Sequence, residues 1–413
     1  MSLIKHGVLN LAGNFIPALV SLPAYGYLAR TLGVESFGIY TLAIIVVGYA
    51  GIFDAGLTRA IVRDIAMYRL DEVEQKKIIA CGSASILFLG FIAMSIMISL
   101  APFIVELLNV SIERQNEAII AISVLALAIP IFLLNQVLLS ILEGNEKFLQ
   151  LNIQRSLGSV FVAGIPVVFV YIDQGILFAV VGLFIARVIT LIISMMMLKN
   201  FIFSAGIKFN KAVFKRLISF GGWSALSGII SPVMVYFDRF ILANILGAKY
   251  VAFYSAPAEL ISRGLIVPGA FAGSIFPKLV NAVDENERSK LKFRAYKIVL
   301  LICGTGTLVG YFAAKSVMVL WMGEAFSGDP VLVLKVLLVG FFFNSLSQIS
   351  FSDIQAKGRS KITAMVHMLE IIPYLIALYL LINLYGVVGA AIAWSGRLVF
   401  EFFLFFLLSE KTQ

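Results

Sequence analysis

Apolar segments long enough to cross a bilayer recur along the whole chain. A membrane-spanning helix needs about 20 apolar residues, and twelve such segments alternate with short polar connections. The predicted spans are residues 7–29, 38–58, 79–105, 117–142, 154–172, 176–198, 217–246, 250–277, 296–318, 331–353, 362–382 and 386–408. The pattern therefore predicts an all-α polytopic membrane protein with twelve transmembrane helices.

The two halves of the chain repeat one another. The segment YLARTLGVESFGIYTLA at 27–43 has a counterpart, ILANILGAKYVAFYSAP, at 241–257. One offset of 214 residues (247 minus 33) aligns identical residues without a gap. The aligned pairs include Gly7 and Gly221, Leu28 and Leu242, Ala29 and Ala243, Leu32 and Leu246, Gly33 and Gly247, Tyr40 and Tyr254, Gly90 and Gly304, Gly144 and Gly358, and Lys147 and Lys361. A register kept over this length indicates an internal duplication.

The duplication predicts two six-helix lobes, at residues 1–198 and 217–413, joined by a basic cytoplasmic linker at 199–216. An even number of spans in each half makes both lobes enter the membrane in the same direction. We therefore expect a pseudo-two-fold axis along the membrane normal, with the substrate cavity between the lobes.

The repeated segment itself is typical of a connection between two membrane helices. Gly33 follows an apolar helix and can adopt the left-handed conformation that ends it. Phe37 and Tyr40 are expected at the start of the next span, at the depth of the membrane interface. Each residue alone is consistent with a helix cap that carries no chemistry, so the repeat is informative about architecture.

Lysine and arginine are distributed unequally between alternate connections. One set is rich in them, particularly at 59–77, 199–216 and 278–297, whereas the opposite set holds only Arg30, Arg114, Lys249 and Lys315. Because positive residues concentrate in cytoplasmic loops, both termini are predicted to be cytoplasmic.

Composition excludes several other classes. Of the 413 residues, 61% are hydrophobic and 13% are charged, whereas a soluble protein carries about 25% charged residues. Cys81 and Cys303 lie in predicted spans, which argues against a secreted disulfide framework. The two histidines offer no metal-site spacing, and the net charge of +9 is dispersed between spans rather than gathered into a nucleic-acid-binding patch.

No outward connection is long enough to form a catalytic domain, so we predict that the chain is not an enzyme. This argues in particular against a membrane glycosyltransferase or polymerase. The first span is long and lacks an evident cleavage site, and we expect it to be retained.

Prolines fall inside several predicted spans and are expected to bend or break them. These residues are Pro17, Pro23, Pro130, Pro166, Pro232, Pro257, Pro268 and Pro373. Pro17 and Pro232 occupy the first and seventh spans, which correspond in the repeat. They are the candidate hinges of an alternating-access movement, with ordinary packing kinks as the other interpretation.

Charged residues inside spans are candidates for a binding cavity, because a charge at mid-bilayer costs roughly 2.5–3.5 kcal/mol on insertion scales. The basic ones are Arg187, Arg239, Arg263, Lys335 and Arg397. Lys335 lies near a helix end and can snorkel to the interface. Glu259 precedes Arg263 by four residues and Glu401 follows Arg397 by four, so each pair can neutralise itself on one helix face.

Arg187 has no acidic residue within one helical turn, and an anionic ligand is one candidate partner for it. A guanidinium binds phosphate through a planar fork, so Arg187, Arg239, Arg263 and Arg397 predict a cavity suited to a diphosphate. The acidic candidates for a coupling proton or sodium ion are Asp54, Asp238, Glu259 and Glu370, with His367 beside Glu370. Asp54 is equally consistent with a helix-end partner for the arginines that follow it. We expect no cofactor.

Four motifs give the chain a family resemblance. They are LGVESFGIY at 32–40, FDAGLTRAIVR at 53–63, FDRFILANILG at 237–247 and AKGRSK at 356–361. Together they resemble the polysaccharide (O-antigen) flippase family, within the superfamily of multidrug exporters and the lipid II flippase. Ala252 departs from the pattern, since the first copy has Gly38 there and family members often keep glycine.

The resemblance implies transfer of an undecaprenyl-diphosphate-linked oligosaccharide from the cytoplasmic to the periplasmic leaflet of a bacterial inner membrane. It also implies the polysaccharide polymerase machinery as a candidate partner. Two alternatives stay open. A cation-coupled multidrug exporter should have acids that nearby basic residues do not match, and lipid II flippases often carry two further spans.

Overall fold

The computed structural model describes the chain from residue 3 to residue 411 apart from residues 55 and 207. The side chains of residues 3–16, 49–50, 52, 200, 202–203, 222–236 and 411 also lie outside the description. The described α-helices are α1 (Leu3–Leu32), α2 (Val34–Gly48), α3 (Leu57–Met67), α4 (Glu72–Leu107), α5 (Gln115–Ala126), α6 (Ala128–Gly144), α7 (Phe148–Ile172), α8 (Ile176–Met197), α9 (Lys199–Ala205), α10 (Lys211–Leu246), α11 (Ala248–Gly264), α12 (Ile266–Val280), α13 (Glu285–Met322), α14 (Asp329–Ala356) and α15 (Ser360–Lys411). Short 3-10 turns cover Tyr49–Asp54, Ile112–Arg114 and Glu324–Phe326.

These helices confirm the predicted all-α membrane architecture. Eight described stretches are long and apolar enough to cross a membrane, and the last of them, α15, holds two predicted spans. With α1, α2 and α10 they account for the twelve predicted spans. The second span ends earlier than predicted, because Gly56 has φ +73° and residues Leu57–Met67 form the separate helix α3.

Two membrane segments are broken by proline in the same way. Helix α5 ends at Ala126 and helix α11 ends at Gly264, four residues before Pro130 and Pro268 respectively. Those final carbonyls would accept the amide hydrogen that proline lacks, so each helix stops there and a new one starts two residues later. The predicted breaks at these two prolines are confirmed. Pro257, by contrast, lies inside α11 without ending it.

The backbone repeats the turns of the sequence repeat. Gly33, after α1, has φ +78°, and Gly247, after α10, has φ +96°. Asn109 and Gly323, which the same offset aligns (323 minus 109 is 214), have φ +48° and +97°. The prediction that Gly33 adopts positive φ at a helix end is confirmed.

The aromatic residues after Gly33 pack inside the protein, and their depth at the membrane interface stays a prediction. Phe37 and Tyr40 are both buried inside the protein, as is Tyr254 in the second copy. The ring of Phe37 packs edge-on against Tyr25, with 5.6 Å between ring centroids. Interhelical packing therefore decides their position, since a buried aromatic ring gains more contacts than one at the interface.

By internal packing the chain forms two units, Met1–Phe240 and Ile241–Gln413, so the division falls within α10. The core of the first unit includes Leu57, Ile61, Ile78, Ile129 and Val137 from α3, α4 and α6. In the second unit α14 packs against α11, α12, α13 and α15. The predicted lobe limits and linker stay predictions; residues 199–205 form α9, and α10 begins at Lys211.

Helix α15 is a hairpin whose two halves meet at one glycine. Gly386 has φ +61° and ψ −141°, which is not helical, and separates the two predicted spans 362–382 and 386–408. The halves fold back on each other, because residues of both line one groove and the Arg397 guanidinium lies 4.9 Å from the ring centre of Tyr374. Glycine is required here because positive φ strains other residues.

Close packing of α7 on α8 depends on Gly182. A Cβ added there would lie 2.8 Å from the Cα of Pro166, whereas one added to Gly164 would meet no atom within 4 Å. We expect Gly182→Ala to lower the free energy of unfolding by about 1–3 kcal/mol, because overpacking displaces the neighbouring helix. The matched variant Gly164→Ala should raise it by up to about 1 kcal/mol, because alanine is the better helix former. Denaturant titration in detergent micelles measures both, and equal effects would contradict the packing argument.

Candidate functional site

Arg187 lies in the first unit on α8, without an ion-pair partner among the described residues. Its guanidinium stacks over the ring of Phe132, with 4.8 Å to the ring centroid, and interacts electrostatically with the Tyr40 hydroxyl. Together with Ile44 and Leu183 it lines a small cavity of about 30 Å³. The chain therefore holds a permanent cation among aromatic and apolar groups of α2, α6 and α8.

Arg239 and Asp238, both predicted site residues, contact one another at the end of α10 in the first unit. The Arg239 Nη1 donates to Asp238 Oδ1 at 2.9 Å, and the Arg239 backbone N–H donates to the same oxygen at 2.8 Å. Asp238 is only 2% exposed. A buried carboxylate is stable when it is paired and hydrogen-bonded, as here.

Arg263 and Glu259 form the predicted pair along α11. The Arg263 Nε and Nη2 donate to Glu259 Oε1 at 2.8 and 2.6 Å. Both side chains are partly exposed, 33% and 22%. The predicted neutralisation on one helix face is thus confirmed for this pair.

Arg397 and Glu401 do not form the corresponding pair within α15. In the described part of the chain, no carboxylate lies within 4 Å of the Arg397 guanidinium, which stacks over Tyr374 instead. Glu401 Oε1 accepts a long hydrogen bond of 3.5 Å from Ser347 Oγ on α14. The folding back of α15 supplies neighbours across the hairpin, and these outcompete the contact one turn along the same helix.

A cluster of titratable groups forms around Glu401. One side-chain nitrogen of His367 and one carboxylate oxygen each of Glu370 and Glu401 all lie within 4.8 Å of one another. His367 Nδ1 is 3.9 Å from Glu370 Oε2. Glu370 is 5% exposed. Within the described residues neither of its carboxylate oxygens has a hydrogen-bond partner.

The same hairpin holds a groove of about 520 Å³, a volume typical of ligand sites. Its walls are largely apolar, with Pro373, Leu381 and Phe400 among the lining residues, and Glu370 and Arg397 are its charged ones. The structure therefore brings two of the predicted site residues, one basic and one acidic, to a single groove in the second unit.

Asp54 caps a helix and does not pair with the arginines that follow it. Its Oδ1 accepts hydrogen bonds from the Thr58 backbone N–H at 3.0 Å and from Thr58 Oγ1 at 2.7 Å. From two residues before Gly56, the N-cap position, the Asp54 carboxylate thus satisfies an otherwise unpaired amide of α3. The helix-end role is confirmed, but its partner is a threonine because the arginine side chains Arg59 and Arg63 point out to the exposed face.

The candidate hinges stay predictions. Pro17 is buried inside α1, which continues through it. The backbone around Pro232 belongs to α10, while its side chain lies outside the described residues.

Sequence reasoning missed two buried aspartates that hold basic residues from distant parts of the chain. Arg216 Nε lies 2.5 Å from Asp64 Oδ2 in the first unit. In the second unit, Asp353 Oδ2 lies 3.3 Å from Lys292 Nζ and accepts a hydrogen bond from Ser409 Oγ at 2.8 Å.

A signal for Asp64 existed in the sequence. Asp64 follows the buried positions Leu57, Ala60 and Ile61 at helical spacing, so the 3.6-residue period places a carboxylate on the apolar face of α3. An acid on an apolar face requires a basic partner, although the spacing does not say which one.

Known proteins are similar in sequence to nearly the whole chain. Residues 3–283 match the family model of the polysaccharide biosynthesis proteins. A Shigella flexneri protein named "Putative O-antigen transporter" is 45% identical over 401 residues, covering 97% of this chain and 96% of its own. These similarities confirm the resemblance that the four motifs carry.

Solved structures of the same fold are more distant in sequence. An inward-facing multidrug resistance transporter of the MATE family superimposes with a TM-score of 0.79 at 17% identity, covering 98% of each chain. The lipid II flippase MurJ in an inward closed conformation superimposes with a TM-score of 0.77 at 17% identity, covering 97% of this chain and 87% of its own. At this identity the likeness establishes the fold alone.

Proposed function

This chain belongs to the family of polysaccharide biosynthesis proteins, and from that premise we propose that it is a flippase for a lipid-linked oligosaccharide. The substrate is an undecaprenyl-diphosphate-linked repeat unit of O-antigen or of another surface polysaccharide. The protein moves it from the cytoplasmic to the periplasmic leaflet by alternating access, without making or breaking a covalent bond. The observation that carries the proposal is the 45% identity to the Shigella flexneri protein over nearly the whole of both chains.

The charge arrangement supports a substrate with a diphosphate. Arg187 has a guanidinium that no described carboxylate neutralises, held over Phe132 beside a small cavity. A buried cation without a counter-charge is costly, and binding an anion offsets that cost. The guanidinium fork can donate two parallel hydrogen bonds to phosphate oxygens. Arg239 and Arg263 already pair with Asp238 and Glu259, so they are weaker candidates for the diphosphate than Arg187.

The proposal places the protein in the bacterial inner membrane with both termini in the cytoplasm. We expect reporter fusions after Gln413 and after Phe209 to be active only with reporters that work in the cytoplasm, because lysine and arginine concentrate in that set of connections. A fusion after Lys249, which lies in the opposite set, is the matched control and should be active only with a periplasmic reporter. Periplasmic activity from either of the first two fusions would contradict this topology.

The function is tested with the purified chain in proteoliposomes. A fluorescent undecaprenyl-diphosphate oligosaccharide is placed in both leaflets, and its transfer is followed by the fraction that a membrane-impermeant quencher reaches. We expect transfer well above that of protein-free vesicles. The same oligosaccharide on a monophosphate lipid should move more slowly, because it offers the arginines one phosphate group instead of two. Equal rates with protein and without it would overturn the proposal.

A cation-coupled multidrug exporter is the second candidate, and it is favoured by the buried carboxylate of Glu370, whose oxygens have no hydrogen-bond partner among the described residues. Transport of a lipophilic organic cation in the same vesicles, with no transfer of the oligosaccharide, would select this function. Transfer of lipid II with no discrimination in favour of the surface-polysaccharide unit would select a lipid II flippase. We also propose the polysaccharide polymerase machinery as a partner, because the transported repeat unit is its substrate.

A further inference from the structure

The cluster in α15 is built by the fold of the hairpin. Glu370 and Glu401 lie sixteen and fifteen residues from Gly386 (386 minus 370; 401 minus 386), so the turn brings them to the same level. Tyr374 and Arg397 lie twelve and eleven residues from the glycine, and they meet in the same way one helical turn nearer to it. The alignment of the two halves of α15 about Gly386 therefore fixes the positions of all four groups.

The cluster and the neighbouring Arg397 hold one more negative than positive charge when their carboxyl groups are ionised and His367 is neutral. The two carboxylates of Glu370 and Glu401 and the guanidinium of Arg397 sum to a net charge of −1 when all are ionised. One added proton, on either carboxyl or on His367, makes the group neutral. A buried site disfavours net charge, and carboxyl groups this close cannot both ionise freely. Both Glu370 oxygens also lack a hydrogen-bond donor among the described residues, which a carboxyl proton or an imidazolium would supply.

The surroundings select a proton over a metal ion. Among the side chains that the structure describes, the charged and titratable groups at the cluster are His367, Glu370, Tyr374, Arg397 and Glu401 of α15, and α14 contributes the Ser347 hydroxyl. Hard cations such as sodium need a shell of oxygen ligands, and here one of the three donors is an imidazole nitrogen. The permanent charge of Arg397 opposes a divalent metal at the same place.

We propose that His367, Glu370 and Glu401 form a proton-binding site that takes up and releases one proton in each transport cycle. Proton binding by the cluster stands on its geometry, and its part in a transport cycle rests on the proposed flippase function. Release of the proton leaves the hairpin with a buried net charge, so it favours any conformation that hydrates the groove beside Glu370. Proton movement is thereby linked to the opening of the second unit.

The test is infrared difference spectroscopy of the full chain in lipid nanodiscs without substrate. Raising the pH should remove the C=O stretching band of a protonated buried carboxyl group, with about one proton released per chain. Glu370→Gln and Glu401→Gln should each abolish or strongly reduce this band, and His367→Asn should shift its midpoint. Glu410→Gln is the matched control, because Glu410 lies on the same helix and is exposed. Size-exclusion chromatography and circular dichroism confirm that each variant is folded.

Two results would overturn the proton site. One is a band that titrates identically in Glu370→Gln, in Glu401→Gln and in the wild type. The other is loss of the band when sodium chloride replaces choline chloride at constant pH, which would identify a sodium site. Flipping is measured separately with an imposed pH gradient. A wild-type protein that releases the proton but moves no lipid-linked oligosaccharide would refute the flippase proposal and leave the proton site intact.

Discussion

Glycan export is expected to fall to background in Arg187→Ala and to drop at least tenfold in Arg187→Lys. The alanine removes the Arg187 guanidinium, which stacks on Phe132 and has no carboxylate partner among the described residues. The lysine keeps the charge but loses the planar fork, and a lost charge-assisted hydrogen bond of about 1.5–3 kcal/mol corresponds to at least a tenfold loss of rate. Export is measured as surface polysaccharide in a strain lacking the native transporter, normalised to the amount of protein in the membrane.

Lys335→Ala is the matched control for the loss of a cation within a span. Its ammonium stacks over Tyr311, with 4.9 Å to the ring centroid, and the side chain can reach the interface. We expect nearly normal export from this variant. Normal export from Arg187→Ala together with failure of Lys335→Ala would show that the anion site lies elsewhere.

Asp353→Asn is expected to lower the free energy of unfolding by about 3–5 kcal/mol, the largest stability effect among these predictions. The aspartate is fully buried, and the basic side chains Arg288, Lys292 and Lys357 surround it on three sides. Neutralising its carboxylate leaves these cations close together without a counter-charge, and it weakens the hydrogen bond that Asp353 accepts from Ser409 Oγ. The change is measured by denaturant titration in detergent micelles.

Asp329→Asn provides the comparison on the same helix. Asp329 is exposed in the first turn of α14, where a carboxylate interacts with the helix dipole by only about 0.3–1 kcal/mol. An equal loss of stability in the two variants would mean that the ion cluster around Asp353 contributes nothing of its own.

Features set by local sequence were predictable. The number of spans follows from runs of apolar residues, because each helix must satisfy its own backbone inside the membrane. The contact of Glu259 with Arg263 follows from their spacing of four on α11. The breaks before Pro130 and Pro268 follow from a missing amide hydrogen.

Features that depend on distant partners were not predictable from one sequence. Arg216 and Asp64 are 152 residues apart, and no periodicity links them. Arg397 and Glu401 have the same spacing as Glu259 and Arg263, but the fold of α15 gives each of them other neighbours. The burial of Phe37 and Tyr40 likewise depends on neighbouring helices that the local sequence does not identify.

The single-glycine turn at Gly386 has a consequence for how the protein is made. Only Asn383, Leu384 and Tyr385 separate the two predicted spans of α15, so we expect both halves to enter the bilayer together. The hairpin then leaves the translocon as one unit, with Glu370, Arg397 and Glu401 already brought together across the turn before lipid surrounds them. Glu370 and Glu401 therefore never face the hydrocarbon one at a time, and a helix that would be inserted poorly alone becomes acceptable as half of a hairpin.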